Sequence, residues 1–243
     1  GLDRCRRILG TFPARQKKSG YFHSQNGEWD SNGQVLWIFG RFQRASGEAL
    51  DPRTRRALQR GAEWIRRKRL PADLDAPHAG LLPAGFSAEH FGPNDFYYWD
   101  DFWAVAGLRA LAQISRQAGD LPAAAAARRL AEELDGSIAR SLAAIPRRRS
   151  RGGLPASPYR RLDAGAMGSL AADYPLQLTP PGDPRILRTV NHLLDHALVE
   201  GAFFMDVVHS GINAYLTLAI AQTLLRAGDG RYADRMREVA CLA

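Results

Sequence analysis

Arg116-Gln117-Ala118-Gly119-Asp120 joins two helical patterns of different character. Before it, Trp103 to Ala118 is apolar through most of its length. After it, Ala123–Leu142 sets Leu130, Leu134, Ile138 and Leu142 along one face, with charged residues on the other. Gly119 stops the first helix and Asp120 caps the second, so the segment reads as the turn of a helical hairpin. The same chemistry occurs twice more. Arg44-Ala45-Ser46-Gly47-Glu48 follows a helix expected at Ser31–Ser46, with apolar Val35, Leu36, Ile38, Phe39 and Phe42. Asp51-Pro52 then restarts the chain into a second helix running to about Arg69. Arg226-Ala227-Gly228-Asp229 joins Ile212–Ala227 to Tyr232–Leu242. A fourth pair fits at Ala164–Tyr174 and Pro184–Leu198, where Asp183-Pro184 supplies the cap and the first helical residue. A short helical piece at Leu2–Leu9 leads the chain, and no segment shows convincing strand alternation.

Serial hairpins, each pairing an apolar inner helix with a charged outer one, predict an all-α chain: a toroid or a solenoid. The connections favour the toroid. Turns within pairs are short, whereas Pro71–Tyr98, Pro146–Leu162 and Glu200–Gly211 are long and rich in glycine, proline and aromatic residues. Long ordered loops carry function, and loops leaving one end of a barrel converge on one pocket. The 243 residues are read as a single α/α-barrel domain.

Composition narrows the classes. No apolar run reaches the ~18 residues of a membrane span, and residues 1–5 resemble no signal peptide. The chain does not begin with methionine, so its native start is expected upstream. Cys5 and Cys241 make neither a disulfide framework nor a zinc motif, which points to a reducing cytoplasm; one bridge between them is left to geometry. The net charge of +8 raises nucleic acid as a partner. Arginine carries nearly all of it, the only lysines being Lys17, Lys18 and Lys68, and an arginine- and alanine-rich chain reflects gene composition. Arg66-Arg67-Lys68-Arg69 ends a helix, Arg147-Arg148-Arg149-Ser150-Arg151 lies in a loop, and no nucleic-acid motif accompanies either. His192-Leu193-Leu194-Asp195-His196 has a zinc-like spacing but lacks the glutamate of H-E-x-x-H, so neither metal nor cofactor is expected.

The densest chemistry lies in Asn94-Asp95-Phe96-Tyr97-Tyr98-Trp99-Asp100-Asp101-Phe102-Trp103. It sets carboxyl groups beside flat aromatic faces, the combination that protonates a glycosidic oxygen and stacks on a sugar ring. Helix capping is the competing explanation, but one cap residue suffices and Asp100 and Asp101 are two. Glu28-Trp29-Asp30-Ser31-Asn32-Gly33-Gln34 opens another helix with groups that can grip hydroxyls, or can cap it.

These two segments resemble the six-hairpin glycosidase superfamily, in particular glucoamylase-like and glycogen-debranching-like enzymes. Tyr98-Trp99-Asp100-Asp101 is similar to that family's aromatic-Trp-acid-acid segment, with Asp-Asp in place of Glu-Glu. The resemblance implies an (α/α)6 toroid, Asp101 as the acid that protonates the leaving oxygen, and Asp100 as its neighbouring carboxylate. It places Asp30 on the nonreducing sugar. Trp29, Asn32, Gln34, Tyr98, Trp99 and Trp103 are further candidates for substrate binding, with His90, Arg161 and His209 from the loops. Four hairpins and a leading helix fall short of six, so the barrel is expected to be incomplete here and the catalytic base to lie beyond Ala243 or in another piece. The expected partner is an oligosaccharide or polysaccharide, cleaved with inversion at α-glucosidic linkages. A phosphorylase or epimerase on the same barrel, and a non-catalytic helical-repeat module binding glycan or protein, are the alternatives.

Overall fold

A computed structural model describes residues 1–86, 94–206 and 211–242. The described chain is all-α apart from one small sheet. Its helices are α1 (Leu2–Leu9), α2 (Phe12–Arg15), α3 (Ser31–Ser46), α4 (Pro52–Lys68), α5 (Tyr98–Gln117), α6 (Leu121–Ala144), α7 (Arg147–Ser150), α8 (Pro184–His196), α9 (Ala214–Arg226) and α10 (Tyr232–Leu242). The hairpin turns form as their sequences require: Gly47, Gly119 and Gly228 take φ of +72°, +76° and +71°, the left-handed values that end a helix cheaply only at glycine. Asp51, Asp120 and Asp183 each accept backbone N–H groups at the start of the following helix.

Three expectations need correction. α5 begins at Tyr98 rather than Trp103, which puts Asp100 and Asp101 inside its first turn. The first half of the fourth pair is a 3-10 helix, Ala164–Ala172, whose glycines and small side chains are all buried. Strands do occur: β1 (Leu198–Val199), β2 (Ala202–Met205) and β3 (Gly211–Ile212) form an antiparallel sheet in the order β1-β2-β3. Leu198 lies opposite Phe203, and Phe204 opposite Ile212. Strands of two to four residues are too short to print an alternation in the sequence.

The described chain divides into two compact units, residues 1–83 with 100–139, and residues 84–99 with 140–243. In the first, α3 and α4 form a hairpin, α1 lies on α3, and Leu36, Leu58, Ile65, Leu108 and Leu134 are fully buried. α3 and α5 touch backbone to backbone. A Cβ on Gly33 would sit 2.4 Å from the Trp103 carbonyl carbon, and one on Gly40 would sit 2.8 Å from the Ala110 Cβ. Advancing along α3 thus advances along α5, so the two helices run in the same direction and begin at the same end.

In the second unit, the 3-10 helix packs on α8 and α9, and α9 on α10. Leu154, Val190, Leu193, Phe203, Ile220 and Leu224 form its core. An ion pair from the half-buried Arg226 Nε to the buried Asp173 Oδ2 at 3.1 Å ties α9 to the end of the 3-10 helix.

Candidate active site at the start of α5

Asp101 has no exposed surface. Its Oδ1 accepts a 2.9 Å hydrogen bond from the Leu82 backbone N–H. Its Oδ2 is buried and has no hydrogen-bond partner among the described residues. Burial pushes the carboxyl up to about 8, against the lowering effect of the Leu82 N–H and of the Arg69 charge. The group is therefore protonated through most of the neutral range and can donate. Asp100 is also buried. Both acids lie past the cap position of α5, so they do not serve as its N-cap.

The Glu28–Gln34 segment lies at the same end of this unit, because α3 and α5 begin there. Asp30 occupies the N-cap position of α3, yet its side chain makes no capping bond. Its Oδ2 instead accepts from Gln34 Nε2 at 2.8 Å. Asn32 is committed elsewhere. Its Oδ1 accepts from Phe22 N–H at 2.8 Å, and its Nδ2 donates to Gly20 and Gly61 carbonyls at 3.1 and 2.9 Å. That is an internal brace, and it occupies both Nδ2 hydrogens.

The aromatic candidates divide in the same way. Trp29 is half-buried beside Trp64, and Tyr21 stacks on Trp64 at 4.5 Å. The Lys68 ammonium covers one Trp29 face, 3.6 Å from the ring centroid. Trp103 is buried edge-on against Trp37, their centroids 5.4 Å apart.

Tyr98, Trp99 and Arg161 belong to the second unit. Tyr98 is fully buried, its hydroxyl 2.7 Å from Ser141 Oγ and its N–H bonded to the Ala156 carbonyl. Trp99 is buried too. Arg161 is exposed, while the adjacent Arg160 grips Asp163 through Nη2 at 2.8 Å. Asp163 caps the 3-10 helix through the Gly165 N–H. His90, with Glu89, and His209 lie outside the described residues. The His192 and His196 rings stack at 4.5 Å, but no group of three metal-ligating side chains forms among the described residues.

Two participants were not legible as such. Arg69 was read as a helix-end cation, and Leu82 carried no signal, because a backbone N–H has none. Only the closure of the loop after α4 reveals them.

No family model matches this sequence, and no curated protein does. Solved structures do. A wild-type glycosidase superposes with a TM-score of 0.63 over 100% of this chain and 65% of its own, at 18% identity. A glycosidase bearing a glutamate-to-alanine substitution gives 0.64 over 98% of this chain and 64% of its own, also at 18% identity. A bacterial glucoamylase complexed with acarbose gives 0.64 over 97% of this chain and 40% of its own, at 14% identity. The chain shares its all-α fold with these structures. It spans just under two thirds of the glycosidase chains it matches.

Proposed function

We propose that this protein is a glycoside hydrolase cleaving α-glucosidic linkages in oligo- or polysaccharides, with Asp101 as general acid. The observation that carries this reading is the Asp101 carboxyl: buried, held through one oxygen, and protonated at neutral pH. A leaving glycosidic oxygen needs such a donor, and a carboxylic acid with a raised pKa supplies it. Asp100 is the neighbouring carboxylate. Asp30 and Gln34, already hydrogen-bonded to each other, are the candidates for gripping a sugar hydroxyl, and Trp29, half-buried with Lys68 over its ring, is the candidate platform beside them. The fold shared with glycosidases, glucoamylase among them, supports the class. The proposed mechanism is inverting. A second carboxylate activates water on the opposite face, roughly 6.5–9.5 Å from Asp101.

The test follows anomeric signals by NMR as the full-length protein acts on α-glucosidic oligosaccharides, with and without phosphate. First appearance of β-glucose, abolished by Asp101→Asn, is the expected result. Sugar phosphate appearing only with phosphate would make the enzyme a phosphorylase. The lack of exposed surface on Asp101 favours one second reading, a non-catalytic glycan-binding module. It predicts retention on immobilised glucan, equal for wild type and Asp101→Asn, with no turnover.

A further inference from the structure

The segment between α4 and Leu82 is a closed loop whose neck is tied three times. Leu70 N–H donates to the Leu81 carbonyl at 2.9 Å, and Gly80 N–H donates to the Pro71 carbonyl at 3.0 Å. The third tie is Arg69, whose Nε donates to the Gly80 carbonyl at 2.8 Å. Arg69 is anchored in turn on α6. Its Nη2 donates to Ser137 Oγ at 3.3 Å, and its Nη1 lies 3.6 Å from Glu133 Oε2. The guanidinium side chain is 10% exposed, far from the fully solvated state usual for arginine. Gly80 completes the fit. Its φ is +75°, and a Cβ there would lie 2.4 Å from Ser137 Oγ. Immediately after this neck, Leu81 and Leu82 are buried and the Leu82 N–H meets Asp101 Oδ1.

We propose that Arg69 is a positioning residue for Asp101: by locking the 70–81 neck to α6 it fixes the Leu82 N–H on Oδ1 and leaves Oδ2 as the oxygen that carries the proton. The geometry gives the reason. A carboxyl that donates must present its O–H in one direction, and a carboxylic acid whose two oxygens are equivalent presents it in two. An N–H donor on Oδ1 makes that oxygen the acceptor and assigns the hydroxyl to Oδ2. A backbone donor does so only while its loop is held to within a few tenths of an ångström, which the fork of Arg69 achieves through two anchored branches. The charge also acts through space, favouring the carboxylate and moderating the effect of burial. The elements around Asp101 carry Arg69 at the end of α4, Asp100 on α5, Glu133 on α6, and Asp73, Asp75 and His78 in the loop.

This inference rests on Asp101 as the acid, and its test separates the two. The Asp101 carboxyl is titrated directly by carbon-13 NMR in full-length wild type, Arg69→Lys and Arg69→Met, with circular dichroism to confirm folding. The pH profile of kcat/KM is measured beside it. Arg69→Met should raise the Asp101 midpoint by about one unit or more, since cation and fixed donor both favour ionisation. Arg69→Lys, which keeps the charge and loses the fork, should raise it less. kcat should fall about 10- to 100-fold in both with KM little changed, and the alkaline limb should move with the midpoint. An Asp101 midpoint unmoved in folded Arg69→Lys overturns the positioning role, and that variant suffices if Arg69→Met does not fold. A midpoint that moves while Asp101→Asn stays active upholds Arg69 and removes Asp101 as the acid.

Discussion

A carboxyl group kept neutral inside a protein works against the fold that holds it. Unfolded, Asp101 ionises near 3.8; folded, it ionises near 8. Between those values the unfolded state releases a proton that the folded state retains, so stability falls as pH rises through that window. Asp101→Asn removes the effect and keeps an acceptor for Leu82 N–H. The variant should be more stable than wild type at pH 7 by on the order of 2 kcal/mol or more, and no more stable near pH 3.5. Urea unfolding at the two pH values measures this; an equal difference at both would show that Asp101 does not ionise in the window. Asn32 makes the opposite case. Its carboxamide satisfies Phe22 N–H and the Gly20 and Gly61 carbonyls, so Asn32→Ala orphans three buried groups. We expect a loss of about 3 kcal/mol in chemical denaturation, with the KM of any surviving enzyme little altered. A variant of native stability and weakened sugar binding would instead place Asn32 on the ligand.

Among the elements, the helical hairpins follow from local chemistry. α4 starts at Asp51, whose Oδ1 accepts from Thr54 N–H at 2.9 Å, with Pro52 as its first residue. That cap holds the Asp51 carboxyl below the usual carboxylate range. Asp51→Ala should cost about 1 kcal/mol, read as a lowered Tm, and the difference should vanish in acid as the wild-type carboxyl protonates. The crossing of α3 on α5 is a different matter. Gly33 faces the Trp103 backbone, and no side chain can yield there to admit a methyl group. Gly33→Ala should therefore push apart the helices that carry Asp30 and Asp101. Activity should fall more than the stability loss explains, measured as kcat/KM at a temperature where circular dichroism shows full folding. Undiminished activity would show that the two helix starts do not cooperate. The turn glycines and cap aspartates were legible from sequence because each answers a local backbone need. The 3-10 helix and the short sheet were not, because small buried residues and two-residue strands leave no periodic trace.

Over the whole molecule, the net charge of +8 is not gathered into a motif. Arg109 pairs with Asp135, Arg160 with Asp163, Arg226 with Asp173 and Arg231 with Asp229, while Arg149 donates to the Tyr159 carbonyl. Duplex DNA should bind no tighter than about micromolar at physiological salt, with affinity lost steeply as salt rises. Fluorescence anisotropy checks this, and nanomolar salt-resistant binding would reverse it. No helix among the described residues is long and apolar enough to cross a membrane.

The helical hairpins, their turns and caps, and the carboxyl pair at the mouth of an apolar helix were all legible along the chain. Each depends on residues within a few positions of one another, so composition and spacing carry the information. The partners of the polar side chains came from the tertiary fold. Asn32 and Tyr98 stand in segments read as sugar-binding, and their hydrogen-bond partners lie up to 43 residues away in the chain. Arg69 looks like a helix end, yet it holds the loop that meets Asp101. The pKa of Asp101 belongs to the same class, because desolvation is a property of everything packed around a group and of no segment alone.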